Sequence, residues 1–214
     1  MTQDFLLYES QPELEVRVKI HWREKHRVLK MEFPVSARNG ISTAEIPYGV
    51  IERPMDGTEK PIQRWIDVSG DGGGLAVVND SSYAADVLDG TIRLTLLRSP
   101  IFADHFGARD ELCEFMEQGE HELRYLLVPH SGRWQTAGLA EMALAFNMPP
   151  QTIYETYHSG PLSATASCLR VSRGSIAADV LKAAEDGGGY ILRCHETVGL
   201  KADAELEIVP LRRR

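Results

Sequence analysis

LEVRVKIHW, residues 14–22, decides the fold class. Leu14, Val16, Val18, Ile20 and Trp22 take every second position, and Glu15, Arg17, Lys19 and His21 fill the gaps. Successive side chains of a strand point to opposite faces, so this alternation spells a half-buried antiparallel strand. VLKMEFPV (28–35) repeats the pattern with Leu29, Met31, Phe33 and Val35 inward, and the intervening REKH predicts a hairpin.

Short strands are expected onward at 42–46, 63–68, 74–79, 83–88, 91–97 and 121–128, then at 166–171, 176–183, 189–194 and 204–209. SGDGGG (69–74) and LDG (88–90) supply turn chemistry between them. Strand following strand without long intervening helices excludes a βαβ sheet and predicts an all-β antiparallel sandwich. One stretch departs: in WQTAGLAEMALAFN (134–147), Leu139, Met142, Ala143 and Phe146 recur at helical spacing, and Pro149-Pro150 stops the run. EDGGG (185–189) reads as a tight connection, not a domain boundary.

At 214 residues with 43% hydrophobic composition, the chain can bury a real core without staples. No apolar run approaches the roughly 20 residues needed to cross a bilayer, and MTQDFLLYESQPE has no basic start followed by an apolar core. Neither a membrane nor a secretory signal is therefore expected. Cys113, Cys168 and Cys194 are odd in number and form no C-x-x-C pair, which argues against a disulfide framework or zinc ribbon and for a reducing, cytoplasmic setting. Of the net charge of -8, much is local. Asp104, Asp110, Glu111, Glu114, Glu117, Glu120 and Glu122 face a single Arg109 between 104 and 122, a surface that repels phosphate backbones and excludes nucleic acid as a partner.

Three stretches could carry chemistry. The histidines lack the i, i+4 spacing of a zinc protease, so they read as surface or structural groups, with His130 at a strand end. In LLRSPIFADHFGARDE (96–111), Arg98, Asp104, His105 and Arg109 can form an acid–base set or a structural ion-pair loop. A mutarotase-like isomerase would pair His105 with Glu120 or Glu122. In EIPYGVIERPMDG (45–57), the prolines belong at edges and turns, and Tyr48, Glu52 and Arg53 can contact a sugar or line an inter-domain seam. GDGGG has no strand-to-helix context and no Lys-Ser/Thr, so it is a weak phosphate loop.

HWREKHRVLKMEFPV, AEIPYGVIERP, QRWIDVSG, LAVVNDSSYAADV, IRLTLLRSPIFADH and FMEQGEHELRYLLVPH follow one another in that order. Together they resemble the C-terminal β-domain of the family-38 α-mannosidases, over residues 1 to about 200. The resemblance implies a β supersandwich of mutarotase-like type over 1–198, with 199–214 a final strand and tail opening onto a further small sandwich. It also implies a parent enzyme that hydrolyses terminal α-mannosides by a two-carboxylate retaining scheme, with zinc gripping the sugar hydroxyls. Nucleophile and zinc ligands belong in that family to an N-terminal α/β domain and a helical bundle, and no stretch here matches their motifs. The chain alone is thus expected to be inactive and to hold no zinc. Its expected partners are those domains, the α-mannoside or oligosaccharide reaching it through the whole enzyme, and a second copy in a homodimer. Arg98, Asp104 and His105 are expected to brace a loop facing the catalytic domain, with Tyr48 and Arg53 at the same seam. The rival expectations are a stand-alone carbohydrate-binding sandwich and the isomerase.

Overall fold

The alternating stretch 14–22 forms β2 (Leu14–Trp22), with Val16, Val18, Ile20 and Trp22 buried and Arg17, Lys19 and His21 exposed. The structure is a computed structural model that describes residues 1–102, 114–156, 159–160 and 165–208. The chain divides into two compact units, Met1–Met148 and Pro149–Arg214.

In the first unit, β2 lies in a seven-stranded sheet, together with β1 (Thr2–Leu7), β4 (Ile41–Ile46), β5 (Gly49–Arg53), β7 (Trp65–Gly70), β8 (Gly73–Asn79) and β11 (Gly119–His130). The order is β1-β2-β11-β8-β7-β4-β5, antiparallel throughout. A four-stranded sheet, β3-β10-β9-β6, consists of β3 (Val28–Pro34), β10 (Thr91–Arg98), β9 (Ala84–Leu88) and β6 (Lys60–Pro61). The inward faces of the two sheets enclose one apolar cluster, in which Val16, Val18, Ile66, Val68 and Val77 of the large sheet meet Phe33, Val87, Ile92 and Leu94 of the small one. The expected all-β antiparallel sandwich is the fold.

One expectation fails. β2 and β3 are not a hairpin: β2 pairs with β1 and β11, while β3 pairs with β10 in the other sheet. REKH crosses between the sheets. Alternation reports which face of a strand is buried, and both strands bury theirs in the same core from opposite sides. The crossing is tied down where His26 N–H donates to the Ser99 carbonyl and Ser99 N–H to the Arg27 carbonyl, each at 2.9 Å, with His26 at φ 53°. The Asp-Gly turn does form a hairpin: Asp89 and Gly90 have φ 48° and 80° between paired Leu88 and Thr91, as a two-residue turn that follows the strand twist requires.

The large sheet is covered on its outer face as well. A 3-10 turn at Trp134–Thr136 and the helix α1 (Leu139–Asn147) stand within the stretch expected to be helical. Trp134, Leu139 and Ala143 are buried along with Trp65, Ala76, Val78, Leu126 and Val128, none of which belongs to the inter-sheet cluster. Every residue of β7 is consequently buried, alternate side chains entering two different interiors.

The second unit contains β12 (Leu169–Val171) paired with β15 (Leu206–Ile208), and β13 (Ile176–Ala183) paired with β14 (Tyr190–Glu196). None of its described residues is buried.

Candidate functional site

Trp65, Asp67 and Ser69 alternate with Ile66 and Val68 on β7, so they point away from the inter-sheet core, toward the Trp134 turn. Asp67 is fully buried and accepts two hydrogen bonds: Ser69 Oγ donates to Oδ2 at 2.6 Å, and His130 Nε2 lies 2.8 Å from Oδ1. Trp134 N–H donates to Ser69 Oγ at 3.2 Å, and the Trp134 ring lies 5.4 Å from that of Trp65. Asp67 and His130 belong to strands separated by β8, and the residue facing Ser69 in β8 and His130 in β11 is Gly74. A Cβ there would come within 2.4 Å of the Ser69 Cβ and of the Val68 carbonyl, so glycine is what lets the strands and this polar bridge close up.

Burial pushes the Asp67 carboxyl above its ordinary range, against the opposing hydrogen bonds from Ser69 and His130. The arrangement is not a nucleophile–base pair: the serine hydroxyl is spent on the carboxylate, not on the imidazole. Its chemistry is structural, clamping the Trp134 turn to the sheet. Sequence reasoning left His130 as a strand-end group and missed Asp67 and Ser69. The signal was present in WIDVSG, whose second face carries Trp, Asp and Ser, but a polar face reads as solvent-facing until the helix layer over it is known.

A second constellation lies on the same outer face. Tyr8, Gln11 and Glu13 from the β1–β2 connection, Glu15 of β2, Leu126 of β11 and Phe146 of α1 are among the residues around a partly open cavity of about 590 Å³. Glu15 and Leu126 are direct cross-strand partners, and α1 roofs them. Tyr8 Oη donates to Glu15 Oε2 at 2.9 Å, and Arg17 Nε donates to Oε1 at 2.7 Å. Burial pulls the Glu15 carboxyl upward, but the bonds from Arg17 and Tyr8 outweigh it and hold it below its ordinary value.

Among the described residues, those singled out from the sequence do not converge. Tyr48 is exposed at the tip of the β4–β5 hairpin with φ 56°, a backbone conformation that a bulky side chain rarely adopts. Arg53 is at the other end of β5, roughly 16 Å away along the strand, and its Nη2 donates to the Pro61 carbonyl at 3.2 Å. Arg98 ends β10 in the opposite sheet, and its backbone N–H donates to Glu117 Oε2 at 2.5 Å. Below Arg98, Ser99 is buried and bonded to the Arg27 backbone. Asp104, His105 and Arg109 lie outside the described residues. Glu120 and Glu122, the glutamates considered for an isomerase, are exposed on the polar face of β11, opposite His21 and Lys19.

Residues 1–106 match the model of the glycosyl hydrolases family 38 C-terminal domain. The chain is 31% identical to Alpha-mannosidase 2C1 of Homo sapiens, over 97% of this chain and 20% of that protein. It is 26% identical to Alpha-mannosidase G of Dictyostelium discoideum, over 93% of this chain and 18% of that one. The chain thus spans about a fifth of the length of these relatives. Among solved structures, an alpha-mannosidase from Enterococcus faecalis V583 superposes with a TM-score of 0.84 at 21% identity, over 95% of this chain and 24% of that one. Among the described residues, no three His, Cys, Asp or Glu side chains come together as a metal donor set, so they do not fit the zinc ion that the family resemblance implies.

Proposed function

From a chain whose residues 1–106 are a glycosyl hydrolases family 38 C-terminal domain, we infer that it serves as the non-catalytic β-domain of an α-mannosidase. The observation that carries this is one of proportion: the likeness runs over nearly the whole chain yet covers a fifth of enzymes named α-mannosidases. In this role the parent enzyme hydrolyses terminal α-mannosides by a retaining, zinc-dependent route, and nucleophile and metal ligands lie on its other domains. The chain's own contribution is a rigid support against which those domains pack.

The distribution of exposed apolar groups supports that role. Phe5 and Leu7 project from the same face of the edge strand β1 and are 60% and 73% exposed. Phe102, Met116 and Val28 are exposed near the loop that follows β10, the place expected to face the catalytic domain. Apolar groups on an edge strand mark covered surface in an assembly. Cys168 and Cys194 are free and exposed, which supports a reducing, cytoplasmic setting. No described helix is long and apolar enough to cross a membrane.

A domain deletion tests the role. Removing from Alpha-mannosidase 2C1 the segment matched here should abolish aryl α-mannoside hydrolysis, and fusing this chain in its place should restore at least roughly a tenth of it. Hydrolysis that survives the deletion intact would overturn the proposal.

A further inference from the structure

The chain has three asparagines, and only one stands before a glycine: Asn39-Gly40, in the connection between β3 and β4. The surroundings of the three differ. Asn79 is buried, its amide donates to the Gln63 and Arg64 carbonyls, and its Oδ1 accepts the Ser81 and Ser82 N–H groups. Asn147 is half-buried, and its amide donates to the Asn79 and Ala143 carbonyls. Asn39 is exposed, with φ 52°, and its Nδ2 donates to Asp71 Oδ2 at 2.7 Å. Gly40 has no Cβ to shield its own backbone nitrogen from the Asn39 side chain.

We propose that Asn39 is a site of spontaneous amide hydrolysis, with water as co-reactant, and that the change undoes a clasp on Asp71. The Gly40 nitrogen, its proton taken by hydroxide, attacks Asn39 Cγ. The N–Cγ bond forms, the Cγ–Nδ2 bond breaks, and Nδ2 leaves as ammonia. Water then opens the resulting succinimide at either carbonyl, giving aspartate or isoaspartate with nothing oxidised or reduced. Asp71 registers the change. It accepts from Asn39 Nδ2, its N–H donates to the Arg38 carbonyl at 3.0 Å, and its Oδ1 lies 4.0 Å from Arg133 Nη2. A carboxylate at position 39 removes the donor and sets like charges face to face. Isoaspartate also lengthens the backbone by a carbon just ahead of the Ile41–Ser69 pair that joins β4 to β7. Nothing in this depends on the role proposed for the chain within an enzyme.

The test is incubation of the folded full chain in mildly alkaline and mildly acidic buffer, followed by peptide mapping with mass spectrometry and an isoaspartate assay. Asn39 should convert at least roughly tenfold faster than Asn79 and Asn147, a ratio that needs a barrier difference of only about 1.4 kcal/mol. Conversion should be faster in the alkaline buffer and be lost in Asn39→Gln, whose longer side chain cannot close the five-membered ring. Asn39→Asp, which carries the product charge from the start, should lower the denaturant midpoint. Adding Asp71→Asn should restore it by returning an amide donor to the pair. No conversion until the chain is unfolded, or equal rates at Asn79 or Asn147, would overturn the proposal. So would an unchanged midpoint in Asn39→Asp, or a loss there that Asp71→Asn does not restore.

Discussion

Between Met1 and Met148 the strands enclose two interiors, one between the sheets and one beneath α1. From Pro149 onward two strand pairs leave Leu181, Tyr190, Ile191, Leu200, Leu206 and Ile208 between 40% and 80% exposed. Both units are made of the same kind of segment, a short alternating strand bounded by turns. What separates them, among the described residues, is whether a second layer receives the apolar face. Two-stranded pairs cannot supply one for themselves, and three or more strands or a packed helix are needed for independent stability. The first unit is therefore expected to set the stability of the chain, and the described strand pairs of the second to add little to it.

The sharpest way to break this contrast is at Gly74, where both interiors of the first unit depend on close strand approach. Gly74→Ala is expected to cost more than about 4 kcal/mol, enough to abolish cooperative unfolding, as followed by near-ultraviolet dichroism. Next come matched isoleucines. Ile66→Ala, in the inter-sheet core, should cost about 2–5 kcal/mol in denaturant unfolding, whereas Ile208→Ala, 58% exposed, should stay within about 0.5 kcal/mol. Equal losses would dissolve the distinction between the units.

His130→Ala examines the second interior and should cost about 1–3 kcal/mol by leaving Asp67 buried with Ser69 as its remaining partner of the pair. Its pH dependence has a definite sign. The Asp67 carboxyl is already raised by burial, and losing the His130 hydrogen bond raises it further. A group with a raised folded-state pKa contributes stability that is present at low pH and lost as pH rises through that value. The variant should therefore fall further behind the parent at pH 8 than at pH 4. A smaller effect than at His130 is expected at Glu15, whose carboxyl is lowered by Arg17 and Tyr8 despite burial. Its contribution is present above the ordinary value of 4.5 and lost as pH falls through the folded-state value. Glu15→Gln should accordingly cost about 1 kcal/mol at neutral pH and progressively less in acid, as thermal melts across pH would record.

The layer that alternation describes was legible from the residues. LEVRVKIHW named its own buried face, TIRLTLL and HELRYLLV did the same, and Asp89-Gly90 announced its hairpin. Partnership was not legible, because period two says nothing about which strand lies alongside, and so REKH read as a hairpin when it changes sheets. β1 escaped notice because TQDFLL mixes polar and apolar residues on an edge that buries little. The second interior was hidden for a related reason. Asp67, Ser69 and His130 belong by composition to a solvated face, and only the packing of Trp134 and α1 turns that face inward. The candidate residues Tyr48, Arg53 and Arg98 were chosen for their chemistry one by one, and the fold distributes them over two sheets.

The central claim is that the chain supports chemistry carried out elsewhere. The most direct measurement is hydrolysis of an aryl α-mannoside by the purified 214-residue chain at high concentration, with zinc or cobalt added. The account predicts no turnover above the metal-only control. Metal-dependent turnover that follows the protein through successive purification steps would contradict it, and would return the loop after Arg98 to consideration as an active site.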